Sequence, residues 1–348
     1  MKTELSASKF RGNGLLLFMG AMVATLLVVT VGGNMLFTRF AGKPVPLVSA
    51  PLAQTPAAQT PAAQTTAVAS LTASGPGASA KPAAVTAAFS PPAENEMPTG
   101  DYGKVIRLGQ QVFMETGQYA SRYVGNSLTC ANCHLDAGRK ADSAPLWASF
   151  IHYPAFRNKT GQVDTLASRI QGCFEYSMNG KAPPADDPII TALQTYAFWL
   201  AKGAPVGMPL AGSGYPKLKK PAQPADYARG ENVYAQNCAL CHGADGLGQR
   251  AGDKQVFPPL WGPKSFNWGA GMHQLANAAG FIQANMPLGK GGTLSEQEAW
   301  DVAAFMNSHE RPQDPRFIKS VAETRKKYHD TDDSLYGKTV NGHVLGSP

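Results

Sequence analysis

The sequence predicts a mainly α-helical protein with two domains of one kind in tandem, behind an N-terminal apolar helix and a polar linker. Three observations support this fold class. The pentapeptide Cys-x-x-Cys-His occurs twice, as CANCH at residues 130–134 and CALCH at residues 238–242. Apolar stripes of helical spacing precede and follow each pentapeptide. An uncharged run near the N-terminus leads into a stretch rich in Ala, Pro and Thr.

The uncharged run, residues 14–37, is about as long as a helix that crosses a bilayer. Basic residues dominate before it, which predicts that the N-terminus stays in the cytoplasm. A cleaved export signal is the alternative, because Val48-Ser49-Ala50 resembles a cleavage site. That site lies well beyond the apolar run, so the prediction is an uncleaved transmembrane anchor at residues 1–40. The rest of the chain is then in the periplasm of a bacterium, held at the inner membrane.

Residues 41–95 contain the near-repeat AQTPAAQTPAAQT and almost no charge or aromatic side chains. Such a composition cannot bury enough apolar surface to fold, so we expect a disordered linker. The formal net charge is +7. For a periplasmic protein this excludes nucleic acid as a partner and favours anionic small molecules or an acidic redox partner.

Both pentapeptides have the spacing of a site for covalent attachment of haem. The two thiols add to the haem vinyl groups, and the adjacent histidine ligates the iron. Two copies in an exported chain predict two covalently bound haem c groups. The predicted attachment residues are Cys130, Cys133 and His134 for the first haem, and Cys238, Cys241 and His242 for the second.

The sequence around the pentapeptides repeats as well. A helix with a small glycine on its apolar face precedes each one, with Gly109 in the first unit and Gly230 in the second. A closing helix follows, beginning after Asp187 in the first unit and after a Ser295 capping box in the second. This order of elements resembles the class I cytochrome c fold. The predicted domains are residues 96–205 and 225–312, with a connector at 206–224 and a C-terminal extension at 313–348 that either wraps the domain, binds a partner or is solvated.

The sixth ligand of each iron decides what each haem can do. Met286 and Met178 follow their histidines, His242 and His134, at the same distance along the chain, typical of a methionine ligand loop. For the second haem we therefore predict His242 and Met286, with His273 and Lys290 as competitors.

For the first haem the residues alone leave two possibilities. Met178 has the spacing of a ligand, but Cys173 lies five residues earlier and is the one cysteine with no thioether role. A free cysteine is often a small buried apolar residue. An unpaired thiol on a haem loop is nevertheless a risky core residue in an oxidising compartment.

The run Arg169-Ile-Gln-Gly-Cys173-Phe-Glu-Tyr-Ser177-Met-Asn-Gly180, together with both pentapeptides and Asn285-Met286-Pro-Leu-Gly, resembles the dihaem thiosulfate dehydrogenases. The resemblance extends from about residue 100 to Pro312. It implies an enzyme that interconverts thiosulfate and tetrathionate, with Cys173 as both distal ligand of the first haem and catalytic residue. It also implies active-site roles for Arg169, Ser177 and Arg157.

The chemistry of that reaction suits these residues. Arginines hold anionic sulfonate-type oxygens, and a cysteine thiolate can carry one substrate sulfur as a covalent adduct. Electrons would pass through the second haem to an external cytochrome. The main alternative is a non-enzymatic, membrane-tethered dihaem electron carrier, with Met178 on the first haem. A sulfur-oxidising cytochrome for carrier-bound substrates and a dihaem peroxidase are further alternatives.

Overall fold

The computed structural model describes residues 88–347. The predicted anchor and most of the predicted linker therefore lie outside the described residues and stay predictions. Within residues 88–347, no helix is both long and apolar enough to cross a membrane.

The described chain is mainly helical, with a few short strands. The α-helices are Gly100–Met114 (α1), Thr116–Tyr119 (α2), Leu135–Gly138 (α3), Leu146–His152 (α4), Leu166–Gly172 (α5), Pro188–Leu200 (α6), Tyr227–Asn237 (α7), Ala239–His242 (α8), Leu275–Asn285 (α9), Glu296–Asn307 (α10) and Val321–Tyr328 (α11). Three antiparallel hairpins pair Ala155–Arg157 (β1) with Gln162–Asp164 (β2), Gln249–Ala251 (β3) with Lys254–Phe257 (β4), and Thr339–Val340 (β5) with His343–Val344 (β6). A π-helical turn, Cys173–Ser177, directly follows α5.

Each haem domain is built on one pair of crossing helices, α1 with α6 and α7 with α10. The predicted glycines lie at the two crossings. A Cβ on Gly109 would lie 2.2 Å from the carbonyl oxygen of Ala192, and a Cβ on Gly230 would lie 2.0 Å from that of Asp301. Both glycines are therefore needed for the helices to approach, and the predicted repeat of the helix pair is confirmed.

The starts of the closing helices also follow the sequence. The Asp187 side chain accepts a hydrogen bond from the backbone of Ile189, with Pro188 as the first residue of α6. Ser295 and Glu298 form the reciprocal capping box at the start of α10. These local interactions satisfy backbone N–H groups that have no partner within the helix.

The connector between the domains packs against both of them. Gly212 and Gly214 accept backbone hydrogen bonds from Asp142 and Ala144 in the first domain. Farther along, the carbonyl of Lys219 accepts from the Trp300 indole of the second domain, at 3.0 Å. The connector therefore holds the two haem domains together.

The C-terminal extension folds back onto the second domain. Tyr336 and Leu345 form a small buried cluster with Trp268. Buried Asp314 forms an ion pair with Arg316 and a 2.8 Å hydrogen bond with His329. Of the alternatives open from the sequence, the extension wraps the domain.

Candidate active site and the second haem cleft

The first pentapeptide forms one wall of a cleft with about 920 Å³ of empty volume. Cys130, Cys133 and His134 line one side, and Cys173 and Met178 are also among the lining residues. The cleft therefore brings the predicted attachment residues together with both candidate sulfur ligands.

The proximal histidines are held in the same way in both domains. Nδ1 of His134 donates to the carbonyl oxygen of Ala144 at 2.7 Å, and Nδ1 of His242 donates to that of Pro258 at 2.9 Å. Each ring then keeps the lone pair of Nε2 for a metal. Burial lowers the pKa of His134 to about 4 and lowers that of His242, so both rings stay neutral near pH 7.

Arg169 and Cys173 form a close pair at the edge of the first cleft. Arg169 lies in the last turn of α5, and its Nη1 donates to Cys173 Sγ at 2.7 Å. The sulfur raises the pKa of the arginine, which is consistent with a charge-assisted contact. π-helical turns are rare and are frequent at functional sites, and this one begins at Cys173 itself.

Met178 and Ser177 line the same cleft as Cys173. Met178 is buried, and its backbone N–H donates to the carbonyl of Cys173. Both sulfurs suggested by the sequence thus face the first haem site, and Cys173 is the one that receives a hydrogen bond from a guanidinium. The assignment of the ligand to Cys173 stays a prediction.

Arg157 is not among the residues that line the first cleft. It ends strand β1, and its Nη1 forms an ion pair with the buried Asp164 of strand β2 at 3.2 Å. An active-site role for Arg157 therefore stays a prediction.

Lys159, in the turn between β1 and β2, lies beside the site although no sequence pattern predicted it. Its Nζ lies 3.5 Å from the centroid of the Tyr176 ring and donates to the carbonyl of Gly269 at 2.6 Å. Burial, together with the nearby charges of Arg316, Arg169 and Arg157, lowers the pKa of Lys159 to about 7. Several cations therefore converge beside the Cys173 turn. Nothing in the local sequence distinguishes Lys159 from a solvated lysine.

The second pentapeptide forms a larger cleft, with about 1,310 Å³ of empty volume. Cys238, Cys241, His242 and Met286 all line it. The competing ligands lie elsewhere. Lys290 is exposed, and buried His273 donates to the carbonyl of Ala270 and faces His329.

The two clefts share part of their walls. Four residues line both of them: Leu128, Cys133, Phe266 and Met272. Cofactors in the two clefts are therefore neighbours, separated by a thin and mostly apolar partition.

Each cleft offers two cysteine thiols, a neutral imidazole and at least one further sulfur, a set of groups that fits covalently bound haem c. This arrangement on two helix-pair domains defines a dihaem c-type cytochrome, an oxidoreductase class. The first domain matches, at residues 117–206, the family described as "SoxA/TsdA, cytochrome c domain". The second matches, at residues 225–306, the family described as "Cytochrome C oxidase, cbb3-type, subunit III". The chain belongs to the thiosulfate dehydrogenase family.

This membership is shown by relatives that match most of the chain. The chain is 56% identical over 260 residues to the thiosulfate dehydrogenase of Thiomonas intermedia, covering 75% of this chain and 83% of that protein. It is 54% identical over 260 residues to that of Stutzerimonas stutzeri, covering 74% and 85%. The solved structure of thiosulfate dehydrogenase (TsdBA) from Marichromatium purpuratum is similar with a TM-score of 0.73 at 51% identity. The match covers 74% of this chain and 58% of that one.

Proposed function

We propose that the protein oxidises thiosulfate at the first cleft, joining two thiosulfate dianions into tetrathionate and releasing two electrons. The observation that carries the proposal is the contact of 2.7 Å between Arg169 Nη1 and Cys173 Sγ, in the cleft that also holds CANCH. The names of the relatives support thiosulfate as the substrate.

The cations beside Cys173 overcome the repulsion between two dianions. Arg169 lines the cleft and offers forked N–H donors to sulfonate oxygens. Lys159 is not among the lining residues, but it lies over the Tyr176 ring of the same turn and adds a second positive charge there. Ser177 lines the cleft and supplies a hydroxyl donor. The role of Arg157 in this proposal is indirect, because its charge acts on Lys159 while its guanidinium pairs with Asp164.

Cys173 divides the coupling into two steps. Its thiolate joins the outer sulfur of the first thiosulfate to form Cys–S–S–SO₃⁻, with the loss of two electrons. The second thiosulfate then attacks the central sulfur of this adduct, the one bonded to Cys173 Sγ, and the bond to Sγ breaks, which releases tetrathionate and restores the thiolate. Haem groups held by Cys130, Cys133 and His134 and by Cys238, Cys241 and His242 would supply a one-electron sink each and a route to an external acceptor. Because both steps are reversible, the protein also reduces tetrathionate where potentials favour that direction.

The acceptor in this proposal is an external cytochrome that docks at the second cleft. Val256 and Leu288 line this cleft and are exposed, and Leu240, within the CALCH pentapeptide, is 89% exposed. Exposed apolar side chains around a cofactor mouth favour docking of a partner. We also propose that residues 1–40 anchor the protein in the inner membrane, with the haem domains in the periplasm, supported by the uncharged run at residues 14–37.

The decisive test is thiosulfate-dependent reduction of a dye by the purified holoprotein, without oxygen, with tetrathionate measured as product. We expect one tetrathionate for every two electrons that the dye receives. A holoprotein that exchanges electrons with other cytochromes but leaves thiosulfate unchanged would instead be an electron carrier.

A further inference from the structure

The π-helical turn that begins at Cys173 is hydrogen-bonded to residues outside the turn. Four consecutive carbonyl groups, those of residues 175–178, each accept a hydrogen bond from another part of the chain. Two of these bonds come from Asn267, a residue of the second haem domain. The wide π-helical turn therefore depends on its surroundings for its shape.

Asn267 is fully buried, and its side-chain amide nitrogen and backbone N–H both donate to the turn. Its Nδ2 donates to the carbonyl of Glu175 at 2.9 Å and to Oδ1 of Asn179 at 3.0 Å. Its backbone N–H donates to the carbonyl of Tyr176 at 3.2 Å. Its Oδ1 accepts from the N–H of Gly269 at 3.0 Å, which fixes the orientation of the amide.

A second asparagine, from the first domain, ties the same turn to the same segment. Nδ2 of Asn126 donates to the carbonyl of Ser177 at 2.8 Å and to that of Ser265 at 3.0 Å. The N–H of Gly125 donates to the carbonyl of Met178 at 3.0 Å. The turn is thus clamped between residues 125–126 on one side and residues 265–269 on the other.

The approach of the second domain is very close. A Cβ on Gly269 would lie 2.5 Å from Cδ1 of Tyr176, so only glycine allows the ring to lie there. Lys159 binds both partners of this contact: it lies over the Tyr176 ring and donates to the carbonyl of Gly269.

We propose that Asn267 is a positioning residue for the first haem site: the second domain, through this amide, holds Cys173 and Ser177 at their places in the cleft. The inference rests on the proposed function, because it takes Cys173 to be the ligand and reacting sulfur. Arg169 holds the sulfur at the start of the turn, and Asn267 holds the backbone that follows. The first site is therefore incomplete without the second domain.

The test is Asn267→Asp in the holoprotein. The carboxylate has the size of the amide but cannot donate, and it would face two acceptors, the Glu175 carbonyl and Oδ1 of Asn179. Asn277→Asp is the matched control. Nδ2 of Asn277 also donates to two acceptors, Gly271 O and Gln274 Oε1, but both lie within the second domain. Asn267→Ser, which keeps one donor, is the milder variant.

We expect the electron paramagnetic resonance signal of the thiolate-ligated haem to lose at least half its intensity in Asn267→Asp, and less in Asn267→Ser. The spectrum of the second haem should not change. We also expect kcat to fall at least tenfold with little change in KM, and Asn277→Asp to match the wild type in all respects. Unchanged spectra in both Asn267 variants, or equal loss from both haems, would overturn the inference.

Hydrogen exchange separates this inference from the proposed function. The amides of residues 174–180 should exchange at least tenfold faster in Asn267→Asp than in Asn277→Asp. A wild-type holoprotein without a thiolate signal would refute the ligand role of Cys173 but would leave this exchange result as the test of Asn267. Equal exchange in the two variants would overturn the role of Asn267 whatever the ligand is.

Discussion

The two haem clefts begin from the same pentapeptide and differ on the facing side. In both, a neutral histidine donates Nδ1–H to a backbone carbonyl. Opposite CANCH lies a cysteine paired with a guanidinium, beside a group of cations. Opposite CALCH lies Met286, with exposed apolar side chains at the mouth.

The residues that attach the cofactor are therefore distinct from the residues that determine how the cofactor is used. The proximal halves are alike, so they cannot explain why one site would bind an anionic substrate and the other would not. Under the proposed function, the guanidinium and the sulfur of Cys173 suit the first cleft to chemistry. Under the same proposal, a thioether and an apolar rim suit the second to electron exchange.

The largest expected effect is that of Cys173→Ala. We expect turnover of thiosulfate to fall by about 10³-fold or more, since the reacting sulfur is lost, while both haems stay attached. Steady-state dye reduction and the haem-to-protein ratio measure the two quantities. Met178→Leu is the matched control for the other sulfur in the cleft, and it should keep both the activity and the thiolate signal. If Met178→Leu alone changed the first haem, Met178 would be its ligand.

Arg169→Gln tests whether charge distinguishes the first cleft. Loss of a charge-assisted hydrogen bond, about 1.5–3 kcal/mol, should lower kcat/KM for thiosulfate roughly 10- to 100-fold. In Arg169→Lys, kcat/KM should fall less than in Arg169→Gln but stay below the wild type, because lysine keeps the charge but lacks the paired N–H donors of the guanidinium. The control is Arg122→Gln, which removes an ion pair between the exposed Arg122 and the buried Asp187, away from the cleft lining. An equal loss in the control would refute a specific role for Arg169.

Met286→His tests the second cleft separately. Replacing the thioether by imidazole should lower the potential of the second haem by on the order of 100 mV or more, because methionine ligation raises it. Potentiometric titration of the holoprotein, with the two haems resolved spectroscopically, measures the shift. The potential of the first haem should stay nearly constant. A shift of the first haem alone would mean that Met286 does not ligate the second.

The smallest expected effect is a pH dependence that belongs to the first cleft. Burial, followed by the charge of Arg316, lowers the pKa of Lys159 to about 7, so its positive charge is present below that pH and lost above it. We expect kcat/KM for thiosulfate to fall by roughly three- to tenfold between pH 6 and pH 8, equivalent to about 1 kcal/mol. Lys159→Arg keeps its charge and should flatten the profile. The exposed Lys290→Arg is the control, and an unchanged profile in Lys159→Arg would refute the assignment.

Much of the fold was predictable because its signals are local. A Cys-x-x-Cys-His run carries its haem attachment chemistry within five residues. A glycine such as Gly109 or Gly230 marks a helix crossing, and caps such as Asp187 and Ser295 mark helix starts within one turn. The predicted anchor at residues 1–40 and the linker at 41–95 are also local predictions, but the anchor and most of the linker lie outside the described residues.

The sequence by itself determined the two haem attachments, the paired helices and the set of sulfurs that could face each iron. Only the tertiary structure decided which groups surround Cys173. Arg157 forms an ion pair with Asp164 across a short hairpin. Lys159, two residues later, lies close enough to other cations beside the site for their charges to lower its pKa. Asn267 reaches the Cys173 turn from the other domain. Such contacts join residues distant along the chain, and their energy depends on packing and burial, which no local pattern records.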